Sequence, residues 1–298
     1  MTSICTFGAQ ARHRDTAALG VLVRAENNLK NIAPDILGAE TDSQRIAAVW
    51  QLYRSLDTLL ALPASWNYPF DSLRTRTVSI LQSPDKKFRL FTFNLVLKNG
   101  DFKNFGFIQE KGKREPRVTP LLDTSKRIPD KEITDVELDP ADWMGALYYS
   151  IVPFKKKGKT KYLLMGFDGS SAHSNRSYLE VLWFDKTGPR FGVPAFRQSE
   201  NDPSAEYRVL FESHNETRML LRYEPEYKIV VLDKLTPAFP EATGDFRYYI
   251  PSGDYDYYKL NKKGTWVRDD LKNFKLLGKD DVMGPVERPH PEPEPENK

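Results

Sequence analysis

Hydrophobic positions along the chain follow two periods. Up to about residue 63 they recur every three or four residues, the spacing that lines one face of an α-helix. Leu19, Leu22, Val23, Leu29 and Ile32 form such a stripe behind a cap at Asp15 or Thr16, and Pro34 stops it. Thr41 and Gln44 then have the spacing of a capping box, in which each side chain satisfies a free backbone N–H at a helix start. Ile46, Val49, Trp50, Tyr53, Leu56 and Leu60 carry the second helix to Pro63. The pair predicts a helical hairpin docked on an apolar surface, with Trp50 and Tyr53 buried at the contact.

From Thr77 onward the period becomes that of strands. Residues 88–97 and 102–109 flank Lys98-Asn99-Gly100-Asp101, and Asn-Gly readily takes the positive φ of a tight hairpin turn. Phe91, Phe93, Leu95 and Leu97 fall on one face of the first strand, with Phe88, Leu90 and Val96 on the other. A strand apolar on both faces is covered on both, which implies stacked layers. A polar, proline-containing stretch follows at 111–140. Further strands are expected at 145–154, 162–167, 178–184, 191–196, 207–211, 218–223, 227–232, 256–260 and 265–268. Their short connections imply antiparallel neighbours, because parallel pairing needs a crossover of about a dozen residues or more.

The fold class predicted is therefore mainly β. An antiparallel meander over residues 64–284 forms a curved sheet or sandwich, and a helical hairpin at 12–63 packs on it. A small β-propeller is the alternative closure, but the strand pairs lack the fixed period of about 40–50 residues that propeller blades show. The last stretch, PVERPHPEPEPENK over 285–298, alternates Pro with Glu and is expected to be a solvated, disordered tail.

Composition narrows the classes. The 298 residues are 40% hydrophobic and 29% charged, ordinary for a globular protein. The net charge of +3 from 44 basic and 41 acidic side chains gives no reason to expect a nucleic-acid partner. No run approaches the roughly 18 consecutive apolar residues of a spanning helix, so no transmembrane segment is expected. The lysine-rich segment 155–161 reads as a solvated hairpin tip whose charges discourage edge pairing.

The start MTSICTFGAQA places small residues at Ala9 and Ala11, the A-x-A pattern of a signal-peptidase site. On this reading residues 1–11 are the remnant of a signal peptide. The mature chain begins near Arg12, in the periplasm or outside the cell. The single cysteine, Cys5, lies in that segment, so the mature protein would form no disulfide.

The common catalytic signatures are missing from the sequence: there is no G-x-S-x-G, H-E-x-x-H, P-loop or dinucleotide-binding glycine motif, and no cysteine pair for zinc. No cofactor or metal is expected. The strongest local candidate is the loop 168–177, which concentrates Asp168, Ser170, His173, Asn175 and Arg176 between two strands. A second is the tyrosine-rich segment with Tyr248, Tyr249, Tyr255 and Tyr257, followed by Trp266, because flat rings with a polar edge suit glycan or protein surfaces. Asp139, Asp142, Asp168 and Glu180 supply carboxylates for a hydrolytic alternative.

The segment 161–196, KYLLMGFDGSSAHSNRSYLEVLWFDKTGPRFGVPAF, together with the AQA start, resembles uncharacterised exported β-rich proteins of bacterial envelopes. The resemblance implies export and carries over no catalytic residue. The expected function is a non-catalytic binding or assembly component of the cell envelope, with a protein or glycan partner. A carbohydrate hydrolase using Asp168 and Glu180 is the alternative from another class.

Overall fold

The computed structural model describes residues 5–74, 78–125, 133–169 and 173–274, with side chains of the first helix described from Ala17 onward. Met1 to Ile4, Ser170 and the tail 285–298 lie outside the described residues. The chain opens with helix α1 (Cys5–Ile32), a short α2 (Asp35–Gly38), α3 (Asp42–Leu60) and a short α4 (Asp71–Arg74). The first helix reaches back to Cys5, beyond the expected cap at Asp15 or Thr16. The capping box of α3 forms as expected: Thr41 Oγ1 accepts from the Gln44 N–H, and Gln44 Oε1 accepts from the Thr41 N–H at 3.0 Å.

Three antiparallel sheets follow. The first runs in the order β1 (Ser79–Gln82), β2 (Phe88–Val96), β3 (Phe102–Glu110), β4 (Arg117–Leu122). The second contains β5 (Leu147–Lys156), β6 (Lys159–Asp168), β7 (Ser174–Phe184) and β10 (Arg208–His214), with β8 (Pro189–Phe191) paired to β7. The third has β11 (Leu221–Glu224), β12 (Ile229–Pro237), β13 (Tyr249–Leu260) and β14 (Trp266–Asp270). Its last member, β9 (Phe196–Arg197), pairs with β14 in parallel.

Strand parity explains how these layers stack. On β2 the odd positions Phe91, Phe93 and Leu95 face α1 and α3, whereas Phe88 and Leu90 face the second sheet. The second sheet is likewise two-faced. Tyr162, Leu164, Tyr178 and Leu182 meet the first sheet, while Leu163, Met165, Leu179 and Val181 meet Val230, Leu232, Tyr258 and Trp266 of the third. The result is a helical layer followed by three stacked sheets. Neither a closed barrel nor a propeller forms among the described residues, so the propeller alternative is set aside.

The helical layer is fastened to the first sheet by a buried polar clasp. Arg89 on β2 donates to Gln109 Oε1 on β3 at 2.6 and 2.8 Å, and to the carbonyls of Ser65 and Tyr68 at 2.7 Å each. Gln109 in turn donates to the Leu60 carbonyl at the end of α3, at 2.7 Å, satisfying one of the acceptors that a helix C-terminus leaves free. At the other end of α3, Arg45 donates to the Val96 carbonyl at 2.8 Å. Burial lowers the Arg89 pKa to about 10, with the nearby Arg74 adding to the effect.

Four expectations need correction. Trp50 is 40% exposed; the buried stripe of α3 is Val49, Leu52, Leu56, Leu59 and Leu60, which leaves Trp50 on its shoulder with the ring edge-on to Phe105. Residues 191–196 are not one strand. Gly192, at φ +92, turns the chain so that β8 joins the second sheet and β9 the third. Strand β4 lies inside the stretch expected to be irregular, carrying Pro120 at a sheet edge, where a missing N–H removes no ladder bond. Lys161 belongs to no solvated tip: it is buried with its ammonium 3.4 Å from the centre of the Trp183 ring. Burial pulls its pKa down to about 8.

Replacing Arg89 with Met strands the acceptors of Gln109, Ser65 and Tyr68 in the interior. The expected loss is about 2–4 kcal/mol, read from the urea midpoint at unchanged slope. A variant within about 0.5 kcal/mol of the parent would show that the clasp contributes nothing to docking.

Candidate functional site

The loop between β6 and β7 opens at one end of the second sheet, and strand register decides what surrounds it. Asp168 lies opposite Arg176 across β6 and β7, and β10 places Glu212 opposite Arg176 and His214 opposite Ser174. Contrary to expectation, Ser174, Asn175, Arg176 and Ser177 belong to β7 and not to a loop, and side chains tie that strand end down. Ser174 Oγ donates to Glu212 Oε1 at 2.5 Å, Arg176 Nη2 sits 3.4 Å from Glu212 Oε2, and Asn175 Nδ2 donates to the Asn215 carbonyl at 3.0 Å. The Asn215 N–H donates to the His173 carbonyl at 3.1 Å, leaving the His173 side chain exposed. Asp168 turns inward, where it accepts from Asn104 Nδ2 at 3.0 Å; the Asn104 N–H reaches Asp123 at 2.7 Å. One asparagine therefore anchors the root of the loop on the first sheet.

Beside this polar surface lies an aromatic one. The connection from β12 to β13 folds into two 3₁₀ turns, Pro240–Ala242 and Phe246–Tyr248. It displays Phe239, Phe246 and Tyr248, of which Phe246 is 54% exposed. Tyr248 stacks on His214 with ring centres 6.4 Å apart and meets Phe239 at 5.6 Å, while Phe246 leans on Tyr249 at 4.9 Å. Arg247 adds a charge next to the Tyr248 ring and forms a 2.6 Å ion pair with Asp245, whose hydrogen bonds lower the Asp245 pKa. Together these groups make a patch of exposed rings bordered by fixed donors and acceptors.

The other expected residues sit elsewhere. Tyr255 and Tyr257 face outward from the third sheet and pack with Leu271 and Phe274, the Tyr257 ring 5.0 Å from Phe274. Trp266 projects from the opposite face into the core between the second and third sheets, 2% exposed and 5.7 Å from Phe154. Strand parity puts Trp266 on the face opposite Tyr255 and Tyr257, so the three form no common exposed face.

The carboxylates are divided too. Glu180 is 1% exposed and accepts from Arg208 Nε at 2.7 Å and from the Tyr148 hydroxyl at 2.5 Å. Burial, then Glu180, raises the Tyr148 pKa well above the usual tyrosine value. The residue opposite Glu180 on β6 is Leu164, four positions from Asp168. At strand rise, Asp168 lies about 13 Å along the sheet, outside the 5–9.5 Å or so over which two carboxylates cooperate in glycoside hydrolysis. Asp139 caps the turn Pro140–Asp142 through the N–H groups of Ala141 and Asp142.

Sequence reading missed Phe239, Phe246, His214 and Glu212. For the two phenylalanines a signal was present: Phe239 sits between Pro237 and Pro240, and Phe246 follows Gly244-Asp245, so both occupy a segment whose breakers interrupt a strand. No protein family, curated protein or solved structure matches the chain. No helix among the described residues is long and apolar enough to cross a membrane.

Glu212 holds two side chains at the start of β7. Glu212→Ala is expected to speed amide hydrogen exchange at residues 173–177 while lowering overall stability by about 1–2 kcal/mol, because Arg176 is partly solvated but the Ser174 hydroxyl is buried. Unchanged exchange at these residues would show that these contacts do not order the strand end.

Proposed function

We propose that the protein is a non-catalytic binding or assembly component of the bacterial cell envelope, and that it takes a protein partner on the surface formed by Phe239, Phe246, Tyr248, His214 and the start of β7 at 173–177. The observation that carries this reading is the exposed ring cluster next to side chains already held by hydrogen bonds. Exposing several large rings is unfavourable in water, and such patches mark places where apolar area is later covered. Two of the three most exposed rings are phenylalanines, which lack the polar edge that a sugar hydroxyl would engage; this favours protein over glycan. Asn175, Arg176 and Arg247 supply the polar rim that orients such a contact.

The envelope assignment is supported by Ala9 and Ala11 and by a chain free of cysteine beyond Cys5. In the native host the mature protein is then expected to start near Arg12.

The test compares wild-type protein with Phe246→Asp and Tyr248→Asp in pull-downs from envelope extracts, after thermal melts have shown that both variants stay folded. A stoichiometric protein partner retained by wild type is expected to lose at least about tenfold in affinity for each variant, because a charge replaces a central ring. Binding that persists in both variants removes the aromatic surface from the account. A glycan ligand in place of a protein would overturn the partner assignment.

A further inference from the structure

On the outward face of the third sheet, at the end of β13 away from the aromatic surface, lies an open groove of about 560 Å³. Strand register sets what borders it. Val267 on β14 pairs with Lys259 on β13 and, across the parallel contact, with Arg197 on β9, so the three form one row on the same face of the sheet. Two strand spacings put the Cα atoms of Arg197 and Lys259 about 10 Å apart, and both side chains are long enough to converge over Val267. Lys262 lines the groove from the turn before β14. That turn is fixed, because Asn261 Oδ1 accepts from the N–H groups of Lys263 and Thr265 at 3.0 Å each.

These cations lack counterions. Lys259 and Lys262 are exposed and make no ion pair among the described residues; Lys259 leans on the Phe274 ring, 5.3 Å from its centre. The half-buried Arg197 side chain makes neither a hydrogen bond nor an ion pair among the described residues. Its Nε is shielded from water with no acceptor, whereas its two Nη atoms are not shielded. A fourth cation stands close by. Lys156 Nζ donates to the Gly264 carbonyl at 3.2 Å and to Thr265 Oγ1 at 3.3 Å, and burial, then Lys157 and Arg197, lower its pKa. The β5–β6 and β13–β14 hairpin tips are packed tightly enough to hold these groups in place: a Cβ on Gly264 would lie 2.5 Å from the Lys155 carbonyl oxygen. Residues 154–163 and 259–267 contain no acid. Of the acids lining the groove, Asp269 is engaged by Asn273 Nδ2 and the Asp270 N–H at 2.8 Å each, and Glu200 is exposed.

We propose that this groove binds a small anion of the phosphate class carrying two or more negative charges, held by the Arg197 Nη atoms and Lys259 above Val267, with Lys262 as the third cation. Three cations around one concavity call for more charge than a single carboxylate brings, and the guanidinium fork matches the paired oxygens of a phosphate. A bound anion also offsets the desolvation of Arg197 and the repulsion between Arg197 and Lys156. The site lies apart from the surface assigned to a protein partner and does not depend on that assignment.

The probe is pyrophosphate, titrated at constant ionic strength into ¹⁵N-labelled full-length protein and followed by amide shifts at residues 196–200, 257–262 and 265–269. Saturable binding on the order of millimolar or tighter is expected for a ligand of this size, with no saturable shifts from acetate. The double variant Lys259→Glu, Lys262→Glu changes exposed side chains and should remain folded; it is expected to weaken binding at least about tenfold. Arg197→Lys, which keeps the charge and loses the fork, should also weaken it. The charge-matched control Lys113→Glu, Lys186→Glu, on exposed loops of the first two sheets, should leave binding unchanged. The proposal is overturned if pyrophosphate gives no saturable shifts at these residues, if the control weakens binding as much as the groove variant, if acetate binds as tightly, or if vesicles of phosphatidylglycerol bind where pyrophosphate does not.

Discussion

Arg208 and Glu180 form an ion pair with almost no access to water, at 0% and 1% side-chain exposure. Two charges can be held there only if nearly all of their hydrogen-bonding capacity is met, since each loses its hydration on folding. The structure meets that demand by drawing in distant segments. Arg208 donates to the carbonyls of Ile133, Val136 and Phe191, fixing the segment that leads into β5 and the point where the chain leaves the second sheet. Glu180 accepts from Tyr148, whose hydroxyl accepts from Trp143 Nε1 at 3.0 Å. The Tyr148 backbone is bound to the first sheet, its N–H to Thr92 and its carbonyl to Ser79. The pair thus ties β5, β7, β8 and β10 and the segment before β5 together, and Tyr148 links that knot to the first sheet through its backbone.

The surface proposed for binding inherits its position from the same strands. Arg208 and Glu180 face each other across β10 and β7, and the register continues to His214 and Ser174 at the strand ends. Glu212 is thereby set between Ser174 and Arg176, and His214 beneath the Tyr248 ring. The β12–β13 connection belongs to the third sheet, yet its rings rest on a residue of the second. A loop held in this way presents a defined face, which lowers the ordering cost of association.

Much of the fold was legible because its signals are local. The Thr41–Gln44 box and the Asn99-Gly100 turn act within a few residues, and the two-faced apolar pattern of β2 stated outright that layers lie on both sides. What could not be read depends on distant partners. Glu180 looks in the sequence like any exposed or catalytic acid, and only Arg208, 28 residues on, reveals its role. Tyr255 and Trp266 looked like members of one aromatic cluster, but a turn and the strand parity place them on opposite faces of a sheet. Asn175 and Arg176 were legible as a polar concentration but not as the start of β7; the partners that order them, Glu212 and Asn215, come from another strand end.

A double-mutant cycle in chemical denaturation tests the Glu180–Arg208 pair directly. Arg208→Met and Glu180→Met should each destabilise the protein by about 3–5 kcal/mol, since each leaves a buried charge without its partner. The double variant should recover much of that loss, giving a coupling of at least about 2 kcal/mol between the two sites. Single variants that each cost less than about 1 kcal/mol and add without coupling would contradict the claim that this pair holds the strands of the second sheet and the segment before β5 together.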